Sequence, residues 1–167
     1  MQQVGNGLSI EQEHSHFALW AIMKGPLLMG TDLTNLTQEQ IDILQNKYLL
    51  AFNQDPIVGK PARPYKWGIN PDYTFNSTYP AMYWSGTSSN GTIVALFNPT
   101  IEEMTMSAEY KEIPQLASNA SYDVIDVWSG KSLGCVASSV KVDVAGNDTA
   151  VFLFGEECSR NQTRILR

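Results

Sequence analysis

The sequence is poor in the features that would assign it to several common classes. Its 11 Lys and Arg stand against 17 Asp and Glu, a net charge of −6. No basic stripe is present of the kind that neutralises phosphates, which argues against nucleic acid as a partner. The only two histidines, His14 and His16, lie two apart on a helical stretch and so face different directions. Neither has a second ligand beside it at metal spacing, and they read as packing or surface residues, so no metal or other cofactor is expected. The apolar stretches are too short and too interrupted to span a bilayer, and no membrane partner is expected. The opening Met1-Gln2-Gln3-Val4-Gly5-Asn6-Gly7 has neither the basic nor the apolar region of a secretory leader. Internal repeats and low-complexity tracts are also missing.

What remains is ordinary globular composition, 43% hydrophobic and 17% charged over 167 residues, enough for one domain or for one domain and a piece of another. One excess breaks the pattern. Six of the eleven asparagines, Asn35, Asn76, Asn90, Asn119, Asn147 and Asn161, begin Asn-X-Ser/Thr acceptors of glycosylation, and Pro99 excludes Asn98. Ser and Thr make up roughly a seventh of the chain, so chance would supply one or two such acceptors. Turn-rich loops would produce some of them, but the excess favours a secreted, extracellular protein from a eukaryote. Two cysteines, Cys135 and Cys158, are either buried thiols or one disulfide, and the secretory reading favours the disulfide.

The chain divides by its local grammar. Ser9 and Gln12 form a capping box before a helix running to Lys24, stopped by Gly25-Pro26. Its consecutive apolar residues Phe17 to Met23 predict burial between a sheet and other helices. Pro26-Leu27-Leu28-Met29-Gly30 is apolar at every position, as in a strand with both faces covered, yet upstream there are only one helix and about eight residues to supply a parallel neighbour. The rest of its sheet is therefore expected outside the chain. Thr37 and Gln40 form a second capping box, with Ile41, Leu44 and Tyr48 on one face of a helix ending near Leu49.

From about Asn53 the prolines 56, 61, 64 and 71 open a loop-rich stretch, followed by strands near 80–85, 92–98, 103–110, 121–128, 139–145 and 149–154. Turn signals stand at Asn90-Gly91, Ser129-Gly130-Lys131 and Gly146-Asn147-Asp148. Short alternating strands with frequent turns read as an antiparallel β-sandwich. The aromatics Tyr65, Trp67, Tyr73, Phe75, Tyr79, Tyr83 and Trp84 suit either a sugar-stacking platform or packing in the core, and the polar residues between them favour the core.

Several segments match a known pattern in order and spacing: Val4-Gly5-Asn6-Gly7, His16-Phe17-Ala18-Leu19-Trp20-Ala21, and Pro26 through Leu33. Leu49-Leu50-Ala51-Phe52-Asn53-Gln54-Asp55-Pro56, Lys66-Trp67-Gly68-Ile69-Asn70-Pro71-Asp72 and Asp126-Val127-Trp128-Ser129-Gly130 extend it over nearly the whole chain. They closely resemble the C-terminal part of melibiase-type α-galactosidases, especially secreted fungal ones.

That resemblance implies an α/β remnant plus an all-β unit. Residues 1–52 would be the incomplete end of a (β/α)8 catalytic barrel, contributing its last strand and flanking helices, and residues 53–167 an antiparallel β-sandwich domain. It further implies a retaining glycosidase that releases terminal α-linked galactose from oligosaccharides and galactosides with two carboxylates. The family's nucleophile follows a Lys on a middle strand, and its acid/base lies in a Trp-Arg-x-x-x-Asp-Ile type motif. Neither is here: Lys47-Tyr48-Leu49 lacks the Asp and no Trp-Arg pair occurs. The chain alone is expected to be inactive, with no catalytic residue of its own.

Met1 aligns with a family Met that lines the galactose site, so it is the one substrate-binding candidate, against the plain reading of a flexible first residue. A chain starting on a normally internal Met reads as a truncated gene model or a cut piece. Asp32 ends a barrel strand where barrel enzymes place catalytic groups, but the resemblance does not support a catalytic part, and a structural role, hydrogen bonding at the loop into the next helix, is expected. The alternative function is a freestanding carbohydrate-binding β-sandwich module. Such a module should not retain Phe17 to Met29, whose exposure would cost about 1.5–3 kcal/mol for each large side chain. The segment up to about Ala51 is expected to be less protected than the sandwich, unless another partner, such as a second copy in a homo-oligomer, covers it.

Overall fold

The structure, a computed structural model, describes residues 1–69 and 79–159. Both capping boxes form. Ser9 Oγ accepts from the Gln12 N–H while the Gln12 side chain accepts from the Ser9 N–H, opening α1 (Ile10–Ile22). Thr37 and Gln40 make the same exchange and open α2 (Gln38–Leu44).

The second helix does not continue to Leu49 as expected. It stops at Leu44, and Asn46 starts α3 (Lys47–Asn53) by accepting from the N–H groups of Tyr48 and Leu49. The Asn46 Nδ2 donates 2.8 Å to the Val127 carbonyl, so the break is fixed by a contact 81 residues away that no local pattern could announce.

Eight strands follow: β1 (Arg63–Lys66), β2 (Tyr83–Ser88), β3 (Gly91–Phe97), β4 (Met104–Glu109), β5 (Ser121–Asp126), β6 (Ser132–Ala137), β7 (Ser139–Val144) and β8 (Thr149–Glu157). A six-stranded antiparallel sheet in the order β1-β2-β3-β8-β5-β6 faces a two-stranded sheet, β4-β7. Sequence reading missed two edge strands of the larger sheet. β1 contains Pro64, which an edge position tolerates, and β6 is interrupted by Gly134 at φ 76°.

Two apolar layers result. Between the sheets lie Met82, Val94, Leu96, Met106, Tyr110 and Phe154 with their neighbours. On the outer face of the large sheet, Ile93, Ala95 and Val151 meet Phe17, Ala18, Ala21 and Ile22 of α1, with Ile43, Leu49 and Phe52. The order is helices, six-stranded sheet, two-stranded sheet. β3 is therefore buried on both faces, with Ile93, Val94, Ala95 and Leu96 at most 1% exposed, although it is antiparallel.

The stretch Pro26 to Gly30 departs from expectation. It makes a single parallel bridge, Gln2↔Met29, rather than a strand, and Leu28 and Met29 are exposed at 63% and 38%. Its bridge partner lies within the chain, reached back across α1. A continuous apolar run signals a strand covered on both faces, and among the described residues Leu28 and Met29 lack that cover.

Candidate functional site

The Gln2 N–H donates to the Leu28 carbonyl at 2.7 Å, and the Gly30 N–H donates to the Gln2 carbonyl at 3.1 Å. Two parallel segments joined through a helix deliver Gln3-Val4-Gly5-Asn6 and Thr31-Asp32 to the same end. Carboxyl ends of parallel strands are where such architectures gather ligand contacts.

A polar web holds that end. Asn6 Nδ2 donates to the Gly30 carbonyl and to Gln3 Oε1, both at 3.0 Å, while Asn6 Oδ1 accepts from Thr31 Oγ1 at 3.2 Å. Below them Glu13, fully buried, accepts from the Gly5 N–H at 2.7 Å and from Gln40 Nε2 at 3.0 Å. Gly5 sits at φ 87°, and a Cβ there would collide with Leu36, so the Val4-Gly5-Asn6-Gly7 stretch reflects backbone geometry and close approach. His16 Nε2 accepts from the Gln3 N–H at 3.2 Å, and burial holds its pKa below the ordinary 6.5. Met1 is 65% exposed at the head of this segment.

Asp32 spends its carboxylate on the loop that follows it. Its Oδ1 accepts from the Thr34 N–H at 2.9 Å and the Thr34 hydroxyl at 2.7 Å, and its Oδ2 accepts from Asn35 Nδ2 at 2.9 Å. These bonds, the Thr34 hydroxyl foremost, hold the carboxyl below its usual range and cap the 3₁₀ turn Leu33–Asn35. The geometry gives Asp32 a structural part at the loop. Among the described residues no group of three or more His, Cys, Asp or Glu is placed to hold a metal ion.

The remaining candidates are dispersed. His14 Nδ1 lies 3.2 Å from Asp148 Oδ1, and its ring stacks on Trp128 with centroids 4.3 Å apart, so it joins α1 to the sandwich. Tyr65 is edge-on to Tyr83 at 6.0 Å, and Trp84 Nε1 donates to the Ala81 carbonyl. These aromatics serve packing; Tyr73 and Phe75 lie outside the described residues. Of the acceptor asparagines, Asn35, Asn90 and Asn119 are exposed, Asn147 is half-buried at φ 63°, and Asn76 and Asn161 lie outside the described residues. Cys135 and Cys158 form a disulfide. No described helix is long and apolar enough to cross a membrane.

Sequence reading missed the residues that fasten the helices to the sheet. Ser15 Oγ lies 2.7 Å from Thr149 Oγ1 and donates to the Asn147 carbonyl. Between the helices themselves, Asn53 Nδ2 ties α3 to the end of α1 by donating to the carbonyls of Ala21 and Gly25 at 3.1 and 3.0 Å. Asp55 accepts from the loop that joins β2 to β3. The only advance signal was the Asn53-Gln54-Asp55-Pro56 motif, which named the residues without their partners.

Comparison with known proteins gives two family matches. Residues 1–55 match "Alpha galactosidase A", and residues 78–154 match "Alpha galactosidase C-terminal beta sandwich domain". The chain is 49% identical over 161 residues to a probable alpha-galactosidase B of Penicillium simplicissimum, covering 95% of this chain and 37% of that protein. It is 47% identical over 165 residues to one from Aspergillus oryzae, with the same coverage. Among solved structures, alpha-galactosidase I from Mortierella vinacea superposes with a TM-score of 0.78 at 30% identity, covering 92% of this chain and 38% of that one. An α-galactosidase from Saccharomyces cerevisiae with raffinose superposes at 0.76 with 20% identity, over 94% of this chain and 46% of that one, a likeness of fold. The chain thus spans little more than a third of the curated relatives it matches.

Proposed function

The chain belongs to the melibiase-type α-galactosidases, and on that premise we propose that it supplies the closing segment of a retaining glycosidase barrel together with the β-sandwich that braces it. In this reading residues 1–52 are the barrel end and residues 53–167 the sandwich domain. The complete protein removes terminal α-linked galactose using two carboxylates about 5–5.5 Å apart, supplied by parts of the barrel other than this chain.

One observation carries the reading. The Gln2↔Met29 bridge is parallel and spans α1, the arrangement of consecutive strands in a barrel, with Gln3 and Asp32 at its carboxyl end and Met1 one residue before it. Exposed Leu28, Met29 and Leu33 on that segment suit a surface that further barrel elements cover. Met1, from the resemblance, would contact galactose. The six glycosylation acceptors and the disulfide support a secreted, extracellular protein.

A second reading, the freestanding carbohydrate-binding sandwich, draws on the burial of Phe17, Ala18, Ala21 and Ile22 against the chain's own sheet. It leaves the exposed Leu28 and Leu33 without a purpose.

The test joins this chain to the upstream barrel region of the Penicillium simplicissimum relative. Secreted chimera should hydrolyse aryl α-galactosides, and Met1→Ala within it should raise KM more than it lowers kcat. A folded but inactive chimera, alongside galactoside binding by the isolated chain, would favour the freestanding module.

A further inference from the structure

A groove of about 420 Å³ lies between α3 and the outer face of the large sheet, a size usual for small-molecule sites. Its walls include Tyr48, Ala51, Phe52, Ile93 and Leu153, and Asn90 stands at its edge as part of the lining. Asn90 begins the acceptor Asn90-Gly91-Thr92. We propose that this groove seats the first N-acetylglucosamine of a glycan carried on Asn90, so that the attached sugar bridges the helical segment and the sandwich. The proposal rests on the secretory reading above and goes beyond it by giving one acceptor a binding site for its own sugar.

The attachment point is preset. Asn90 is exposed, and its carboxamide has no hydrogen-bond partner among the described residues, whereas Asn35 Nδ2 is engaged with Asp32. Substitution at the Asn90 Nδ2 therefore breaks no contact. The hairpin beneath it is held on two sides. Asp55 accepts from the Ser89 N–H and hydroxyl at 2.6 and 2.9 Å, and the Ser88 hydroxyl accepts from the Asn90 N–H at 3.2 Å and donates to the Gly91 carbonyl at 3.0 Å. Gly91 is at φ 124°, where a Cβ would collide with the Phe154 carbonyl, so the turn cannot drift off the sheet.

The lining suits a sugar with one apolar face. Above the buried Phe52 and Ile93, Tyr48 offers a ring, Ala51 and Leu153 offer aliphatic surface, and Lys47, whose ammonium lies 4.9 Å from the Tyr48 ring centroid, offers a donor for the acetamide or hydroxyl oxygens. Tethering makes the contact intramolecular. A groove too weak to capture free N-acetylglucosamine is filled by one attached at its edge wherever the effective concentration of the tethered sugar exceeds the groove's Kd.

The experiment uses the full chain secreted from a eukaryotic host. Peptide mapping reads occupancy at Asn90 and Asn119, and amidase release of the glycans is timed on native and on denatured protein. The Asn90 glycan should leave native protein at least about tenfold more slowly than the Asn119 glycan, and at an equal rate after denaturation. Ala51→Arg, which fills the groove from an exposed position, should abolish that difference while leaving the Asn119 rate unchanged; Tyr48→Ala provides a second variant. Equal native release rates, with Asn90 occupied, overturn the groove seat alone. An Asn90 left bare beside an occupied Asn119 overturns the proposal at its attachment site. Bare acceptors throughout overturn it together with the secretory reading.

Discussion

Asp55 and Ser89, 34 residues apart, meet where the helical segment joins the sheet: Asp55 Oδ2 accepts from the Ser89 N–H at 2.6 Å and from its hydroxyl at 2.9 Å. The other oxygen, Oδ1, accepts from the N–H groups of Ile57 and Val58 at 2.8 and 3.0 Å. One carboxylate thus organises both the loop after α3 and the turn between β2 and β3. These donors, the Ser89 N–H first, hold its carboxyl well below the usual range.

A carboxyl depressed by folding stabilises the protein above its unfolded value of 3.8, and that contribution is lost as pH falls through the folded value. Asp55→Ala should lower Tm by several degrees at neutral pH and flatten the acid side of the stability curve. Thermal unfolding between neutral and acid pH checks both. An unchanged Tm at neutral pH would show that the four hydrogen bonds contribute nothing net.

Reduction tests the Cys135–Cys158 bridge, which ties the edge strand β6 to the chain just past β8 at a separation of 23 residues. By chain entropy, loss of a loop of that length should cost about 3 kcal/mol. Denaturant unfolding with and without reductant measures it, and two free thiols in the secreted protein would contradict the pairing.

Phe17 and Leu28 mark two environments on one segment. Phe17 is fully buried against the sheet and Leu28 is 63% exposed. Phe17→Ala should cost about 3–5 kcal/mol, while Leu28→Ala in the isolated chain should stay within about 0.5 kcal/mol. Hydrogen exchange should divide likewise, with α1 amides protected nearly as well as β3 and amides of 27–36 exchanging quickly. This revises the expectation that everything up to Ala51 is weakly held, because α1 has a partner in the sheet.

His16 makes the N-terminal strand pH-sensitive. Its Nε2 must be unprotonated to accept from the Gln3 N–H, and burial, followed by the positive N-terminus, lowers its pKa from 6.5. A lowered histidine contributes stability that is present above its ordinary value and lost as pH falls through the folded one. Protection of the Gln3 amide should therefore fall on mild acidification. His16→Phe should remove that dependence, and an unaltered profile would contradict it.

Residues whose role is local were legible in the sequence: both capping boxes, five of the six anticipated strands within a few residues, and the cysteines. β2 was placed about three residues early because Ala81 and Met82 are buried core residues that read as strand. What could not be read is long-range. Asn46 divides α2 from α3 through Val127, and Ser15 meets Thr149 beneath the sheet, each across a separation that leaves no periodicity. Within this chain the fully buried signature appears in β3, which α1 covers, whereas Pro26 to Gly30 has one bridge and exposed Leu28 and Met29, and only a three-dimensional neighbour distinguishes the two runs. For the site, the Val4-Gly5-Asn6-Gly7 stretch was legible as a motif, whereas the web of Asn6, Gly30 and Thr31 depends on a bridge between distant segments.

Whether this chain needs the upstream barrel for catalysis is tested most directly by hydrolysis of an aryl α-galactoside by purified residues 1–167. Of the acids at the parallel strand end, Asp32 is engaged by Thr34 and Asn35, and the fully buried Glu13 by the Gly5 N–H and Gln40, whereas a retaining mechanism needs two carboxylates that face the sugar. The predicted result is a rate equal to the buffer blank for both the unaltered chain and Asp32→Asn, with activity appearing only when the upstream barrel is supplied. Turnover well above the blank that vanishes in Asp32→Asn would contradict the account and make Asp32 a catalytic residue.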